Sequence, residues 1–115
     1  MKYYELLYIV QPTLSEEDLK GIMGDIAGRI EKAGGKILKN EVWQKRNLAY
    51  PIKKFKQGYY VLVHYKAEAN VPKEIEERMR IKEDILRFMT TNMLKKDMAA
   101  YEKQQNQEAK DDGNA

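Results

Sequence analysis

Cysteine is absent from this 115-residue chain, and histidine and serine occur once each, as His64 and Ser15. The first absence excludes a disulfide framework and a thiolate metal site; the single histidine excludes a Cys-His pair and a multi-histidine metal centre. Ser15 stands directly before Glu16-Glu17-Asp18, where it reads as a helix cap and not as a nucleophile. Gly21, Gly24 and Gly28 have no phosphate-loop spacing and do not directly follow a strand. Long apolar runs are also missing, none approaching the ~18 residues of a membrane span. The chain opens Met1-Lys2-Tyr3-Tyr4-Glu5, directly into a strand pattern, with no secretory or transit segment ahead of it. The expectation is an intracellular, cytoplasmic protein with no catalytic residue, metal, cofactor, membrane partner or small-molecule substrate.

What is present is charge, unevenly placed. The chain carries +3 overall with 43% hydrophobic residues, a composition that fits one globular domain of modest core. Residues 97–115 hold two cations and five acids, so residues 1–96 carry +6. The sequence predicts a domain over residues 1–96 and an acidic, disordered tail over 97–115, which has little to bury. The acids at Glu16-Glu17-Asp18, Glu74-Glu76-Glu77 and Glu83-Asp84 are interleaved with cations or lie at turns, as on solvated faces.

Hydrophobic spacing gives the elements. Tyr3 to Val10 alternates as a strand. Leu19, Ile22, Met23, Ile26 and Ile30 recur at helical spacing, and Gly34-Gly35 ends that helix. A second strand is expected from about Lys36 to Ile52, a loop over residues 53–58, and a third strand from Tyr59 to Lys66. Pro72 suits the first turn of a second helix with Val71, Ile75 and Met79 as its buried stripe. Ile85 to Met93 is the last strand. The order βαββαβ predicts an α+β, ferredoxin-like fold, a four-stranded antiparallel sheet with both helices on one face. Strands one and three are then central. The second strand contains Pro51, which has no N–H for a ladder and belongs at an edge or a bulge.

Burying Glu5 or Arg87 beneath helices is unfavourable, so the strand faces that hold them are expected to be open. That leaves Leu7, Ile9, Tyr60, Leu62 and Met89 on the uncovered face, around Glu5, His64 and Arg87. Neighbouring long side chains covering one another is the simpler reading of such a patch; a docked protein chain is the favoured one. His64 is read as a surface residue of its strand.

From Lys36 to Lys56 there are seven cations and one acid. Charges on an edge strand discourage edge-to-edge aggregation, yet Lys53-Lys54 and Lys56 exceed what that purpose needs and point to a polyanion. With Lys2, Arg80 and Arg87 they form the candidate RNA-binding set. The third strand, Gln57-Gly58-Tyr59-Tyr60-Val61, superficially resembles the RNA-recognition-motif signature. It departs from it at Gln57, Tyr60 and Val61, and Tyr59 and Val61 fall on the helix side, which argues against base stacking.

One segment, Arg46-Asn47-Leu48-Ala49-Tyr50-Pro51-Ile52-x-Lys54, carries a specific resemblance. With Tyr4-Glu5, Pro12-x-Leu14, Gly35, Gln57-Gly58-Tyr59, Arg80-Ile81 and Arg87-Phe88-Met89, it resembles the bacterial small-subunit ribosomal protein six family over residues 2–94. The resemblance implies a structural, non-catalytic ribosomal protein. It also implies binding to the central domain of small-subunit (16S) rRNA during assembly, as a heterodimer with small-subunit protein eighteen. By position it assigns Lys2, Lys54, Arg80 and Arg87 to the RNA. Glu41, Trp43, Arg46, Leu48 and Tyr50 fall on the edge that meets the partner. Arg87 has a competing assignment, pairing with Glu5 across the sheet. The alternative functions are an RNA-binding regulator of the RNA-recognition-motif type and a ferredoxin-like homo-oligomer.

Overall fold

The computed structural model describes residues 1–103. Along the chain lie β1 (Lys2–Val10), α1 (Glu16–Lys32), β2 (Lys36–Val42), β3 (Arg46–Ile52), β4 (Phe55–Ala67), α2 (Val71–Arg80) and β5 (Ile85–Asn92). Residues 95–103 are helical as well. The antiparallel sheet has the order β2-β4-β1-β5, with β3 paired to the first part of β4. The expected βαββαβ arrangement is therefore present, with β1 and β4 at its centre.

Alternation along the central strands makes one face a core. Leu6, Tyr8 and Val10 of β1 and Val61, Val63 and Tyr65 of β4 are buried against Leu19, Ile26 and Ile30 of α1 and Val71, Ile75 and Met79 of α2. Each such side chain stabilises the fold by roughly 1.5–3 kcal/mol through burial. Helix α1 starts where its cap requires: the Asp18 amide donates to Ser15 Oγ at 3.1 Å. It ends at Gly34, whose φ of 91° is the left-handed conformation glycine adopts without strain. The Gln11 amide donates to the Asp84 carbonyl at 2.9 Å, fastening the end of β1 to the turn before β5.

Four expectations need correction. The predicted second strand, residues 36–52, follows one path along β4 but breaks into β2 and β3. Its register against β4 slips between Ile37 and Lys39, and the strand is interrupted over residues 43–45 before pairing resumes at Arg46 opposite Gly58. A further irregularity separates Asn47 from Ile52, and Pro51 lies inside it. Extra residues on one side of a ladder bend it and raise its twist, so a strand that cannot pair at Pro51 curves away from β4.

The predicted loop over 53–58 shrinks to a two-residue turn. Ile52 pairs with Phe55, leaving Lys53 and Lys54 at the tip with φ of 49° and 74°. Positive φ at both central residues is the hairpin turn whose twist matches its strands, here made without the usual Asn-Gly. Strand β4 thus begins at Phe55 and runs 13 residues, with its first four residues extending beyond the pairing of β1, which reaches only Tyr59.

The third correction concerns the tail expected from residue 97. Residues 97–103 are helical, not unstructured; the remainder of that expectation lies outside the described residues. Leu94, Met98 and Tyr101 recur at helical spacing, and the segment is tied down when the Tyr101 hydroxyl meets His64 Nδ1 at 2.7 Å. His64 is accordingly 5% exposed, not a surface residue.

Candidate functional site

Two surfaces are built on the side of the sheet away from α1 and α2, beside the helical segment 95–103 that covers His64. The first is its apolar face. Leu7 lies opposite both Leu62 and Met89, and Ile9 opposite both Tyr60 and Arg87. The five apolar residues expected to share this face therefore do so, in two adjacent rows. Leu7, Ile9, Tyr60 and Leu62 are half-buried and Met89 is 59% exposed. Glu41 extends the Leu62 row onto β2, and the Trp43 amide donates to the Tyr60 carbonyl at 2.7 Å, extending the next row.

The second surface is the β3–β4 hairpin, an arm that leans over the Ile9 end of the sheet. A glycine permits this approach. A Cβ on Gly58 would sit 2.5 Å from Ile9 Cγ2 and 3.2 Å from the Val10 carbonyl oxygen, both inside normal contact distance. The Leu48 side chain closes over the same glycine, 3.7 Å from that Cβ position. Beyond it, the Tyr50 ring, half exposed, lies under the Arg87 guanidinium at 4.9 Å. Residues Asn47 to Pro51 and Lys56 line a shallow groove along the arm.

Cations and aromatic rings are interleaved here in a consistent way. Arg46 stacks 5.0 Å over Trp43, Lys45 5.4 Å over Tyr59, and Arg87 over Tyr50. Such contacts contribute about 0.5–1 kcal/mol at exposed sites and leave the positive charge intact. Lys53, Lys54 and Lys56 are exposed and make no ion pair among the described residues. The exception on this side is Glu41. The Trp43 indole N–H donates to it at 3.0 Å and Lys39 lies 3.5 Å away; together they hold its carboxyl below the usual carboxylate range. Trp43 also meets Tyr60 edge-on at 6.2 Å.

The candidate RNA-facing cations do not all converge. Lys53, Lys54, Lys56 and Arg87 share the arm end of the molecule. Arg80 flanks the same end from the helix side, 5.8 Å over the Phe88 ring and 3.8 Å from Glu76. Lys2, in contrast, pairs opposite Ala67, eleven residues along β4 from Lys56. At about 3.3 Å per residue the two are roughly 36 Å apart. Arg87 does not pair with Glu5: Glu5 Oε1 meets His64 Nε2 at 2.9 Å, and Arg87 is on Tyr50. Trp43, Tyr50 and Tyr59 carry cations on their faces, whereas Tyr60, on the open face of β4, meets Trp43 edge-on.

Comparison with known proteins then places the chain. Residues 3–92 match the family model described as Ribosomal protein S6. The small ribosomal subunit protein bS6 of Clostridium novyi is 42% identical, covering 80% of this chain and 97% of that protein. The chain belongs to the ribosomal protein S6 family. The bS6 protein of Nitratiruptor is 38% identical over 99% of this chain and 98% of its own length. The crystal structure of Thermotoga maritima ribosomal protein S6 superposes with a TM-score of 0.78, at 28% identity, over 91% of this chain and 97% of that one. As an S6-family member, the protein is a non-enzymatic structural component of the small ribosomal subunit. No helix among the described residues is long and apolar enough to cross a membrane.

One constellation on this face was missed by sequence reasoning: Glu5, His64, Tyr101 and Asp97. Half of it was accessible, because Glu5 and His64 fall on the open faces of two central strands and pair directly. The other half was hidden by treating residues 97–115 as a tail, although the spacing of Leu94, Met98 and Tyr101 marks a helical stripe.

Proposed function

We propose that this S6-family protein binds the central domain of small-subunit rRNA with its β3–β4 arm while a second protein covers its open sheet face, and that it does so during subunit assembly. The partner we assign is small-subunit ribosomal protein eighteen. One observation carries the reading. The arm's cations rest on aromatic rings or have no ion-pair partner among the described residues, so their charge remains available to phosphates. Lys53, Lys54, Lys56 and Arg87 are the principal RNA contacts, with Arg80 beside them; Lys2, at the far end of the sheet, reaches a separate part of the RNA. Because the rings of Trp43, Tyr50 and Tyr59 are capped by cations and Tyr60 lies within the partner surface, recognition runs through phosphate backbone and RNA shape. The partner surface comprises Leu7, Ile9, Tyr60, Leu62 and Met89, continued through Glu41, Trp43 and Arg46 to Leu48 and Tyr50.

A salt titration of the two-protein complex on its RNA tests both halves. Replacing Lys54 or Arg87 by alanine should lower affinity and reduce the slope of log K against log salt by about 0.7–0.9 for each phosphate no longer neutralised. Leu62→Asp should weaken the protein–protein step by roughly 1–3 kcal/mol with the fold retained. Unchanged slopes and unchanged partner affinity would remove these assignments. Tight single-strand binding by the isolated chain would favour the stacking regulator, and a stable RNA-independent oligomer would favour self-association.

A further inference from the structure

The row Glu5–His64, continued by Asp97 from the helical segment 95–103 and bordered by Lys39 opposite His64 on β2, gathers two carboxylates around one imidazole. One donor atom from each of Glu5, His64 and Asp97 lies within 4.8 Å of the others. We propose that these three side chains form a binding site for a zinc-like divalent transition-metal ion, which staples the helical segment to the sheet.

Charge supports this first. Two carboxylates face a single imidazole, and among the described residues neither has a lysine or arginine partner; the salt bridge of Glu5 is to His64. The next acid along, Glu41 on β2, is already matched by Lys39. A divalent cation balances what remains.

The ligand geometry agrees for the His64–Glu5 pair, and the Asp97 carboxylate, within 4.8 Å of both, has to close by no more than about 1.5 Å. Zinc bonds imidazole nitrogen and carboxylate oxygen at about 2.0–2.2 Å, so tetrahedral ligand atoms stand about 3.3–3.5 Å apart. His64 Nε2 and Glu5 Oε1 are 2.9 Å apart and need to open by only about half an ångström. In the metal-free protein the Nε2–H donates across that gap; metal binding displaces this proton from Nε2 and leaves the ring as its Nδ1–H tautomer. The other ring nitrogen, Nδ1, lies 2.7 Å from the Tyr101 hydroxyl. With metal on Nε2, Nδ1–H donates to that hydroxyl, the outer contact that fixes tautomer and ring orientation in metal-binding histidines.

Burial and chemistry narrow the ion. His64 is 5% exposed and Glu5 and Asp97 are half-buried, so the site is walled yet reachable. One nitrogen and two carboxylate oxygens leave a fourth position for water, as in open zinc sites. An imidazole ligand favours zinc or cobalt over magnesium or calcium, which prefer all-oxygen shells. The exclusion of thiolate and multi-histidine centres stands; a set of one histidine with two carboxylates falls outside it.

The test uses the full chain, stripped with chelator and titrated with zinc chloride, with magnesium chloride as control. Calorimetry should give one equivalent of zinc. The thermal midpoint should rise by roughly 6–10 °C once free zinc exceeds its dissociation constant tenfold. Cobalt(II) should develop the visible absorption of a four-coordinate site. Asp97→Asn and Glu5→Gln should each weaken zinc at least tenfold; Asp97 lies outside the main core, so its variant stays folded even if a change at buried His64 does not. No zinc heat with an unchanged midpoint overturns the proposal. So does zinc binding that persists at wild-type strength in both variants, or magnesium producing the same shift.

Discussion

The two faces of this sheet are made by alternate residues of the same strands, yet they differ in how many of their cations are paired with acids. On the helix side, several positive charges are paired with acids: Lys20 with Glu16, Arg78 and Lys82 with the one carboxylate of Asp25, and Arg80, which also lies over the Phe88 ring, with Glu76. On the open side and the arm, Arg46 and Arg87 lie on aromatic rings, Lys39 alone is paired with an acid, Glu41, and Lys53, Lys54 and Lys56 have no acid among the described residues. An ion pair spends its field on its partner, whereas a ring orients a cation without cancelling it. The arm therefore keeps the more available positive charge, in keeping with the proposed RNA contact.

The sharpest way to break that comparison is to truncate one apolar residue on each face. Leu6 is fully buried under the helices and Met89 is 59% exposed on the open side. Leu6→Ala should cost about 2–5 kcal/mol in denaturant unfolding. Met89→Ala should stay within about 0.5 kcal/mol. Similar costs in both would mean that the open face is a second core.

Next in size is the joint between arm and sheet. Gly58→Ala drives a methyl group into Ile9 Cγ2 and against the backbone of Val10. A destabilisation of about 1–3 kcal/mol is expected, together with a weakened Arg87–Tyr50 contact. Chemical-shift changes confined to residues 46–58, with stability unchanged, would show that the arm hinges freely and is not seated by this contact.

The tip offers an experiment in which fold and function move in opposite directions. Lys53 and Lys54 hold positive φ, a conformation costly for residues with a Cβ. Lys54→Gly should raise stability by about 0.5–1 kcal/mol, the strain removed exceeding the extra chain entropy of glycine. The same change should weaken RNA binding. Lysine at this strained position is then explained by the charge and not by the turn. A variant that is less stable and binds RNA as before would reverse the explanation.

How much of this was legible in the sequence follows the range of the forces involved. Strand alternation and helical spacing are local, so the βαββαβ order, the core side of β1 and β4, and the five open-face apolar residues could be read directly. The site residues were located face by face, but their convergence was not. Whether Lys2 joins the arm depends on how far β4 extends, and that length was concealed because Lys53-Lys54 lacks the usual turn residues. Arg87 was assigned to RNA or to Glu5; its position over Tyr50 depends on a bend at Pro51, whose direction no spacing encodes. His64 was misread because its cover comes from a helical stripe in a segment of acidic, polar composition.

The smallest expected effect concerns the paired charges of the helix side. Asp25 on α1 is held 2.9 Å from Lys82 and 3.5 Å from Arg78. The Lys82 ammonium, helped by Arg78, keeps the Asp25 carboxyl below its ordinary range. A carboxyl whose pKa is lower folded than unfolded adds stability above its unfolded pKa, about 3.9, and loses it as pH falls through the folded value. Asp25→Asn should therefore cost about 0.5–1 kcal/mol at neutral pH, a modest figure because the group is partly solvated. The difference from wild type should close progressively as pH drops below about 4. Lys56→Ala on the arm, with no acid to release, should leave stability flat across the same range. Parallel urea titrations from pH 7 down to pH 3 would measure both. A pH-independent Asp25→Asn deficit would mean that the residue acts through packing between α1 and the end of α2, and the contrast between neutralised and available cations would no longer hold for stability.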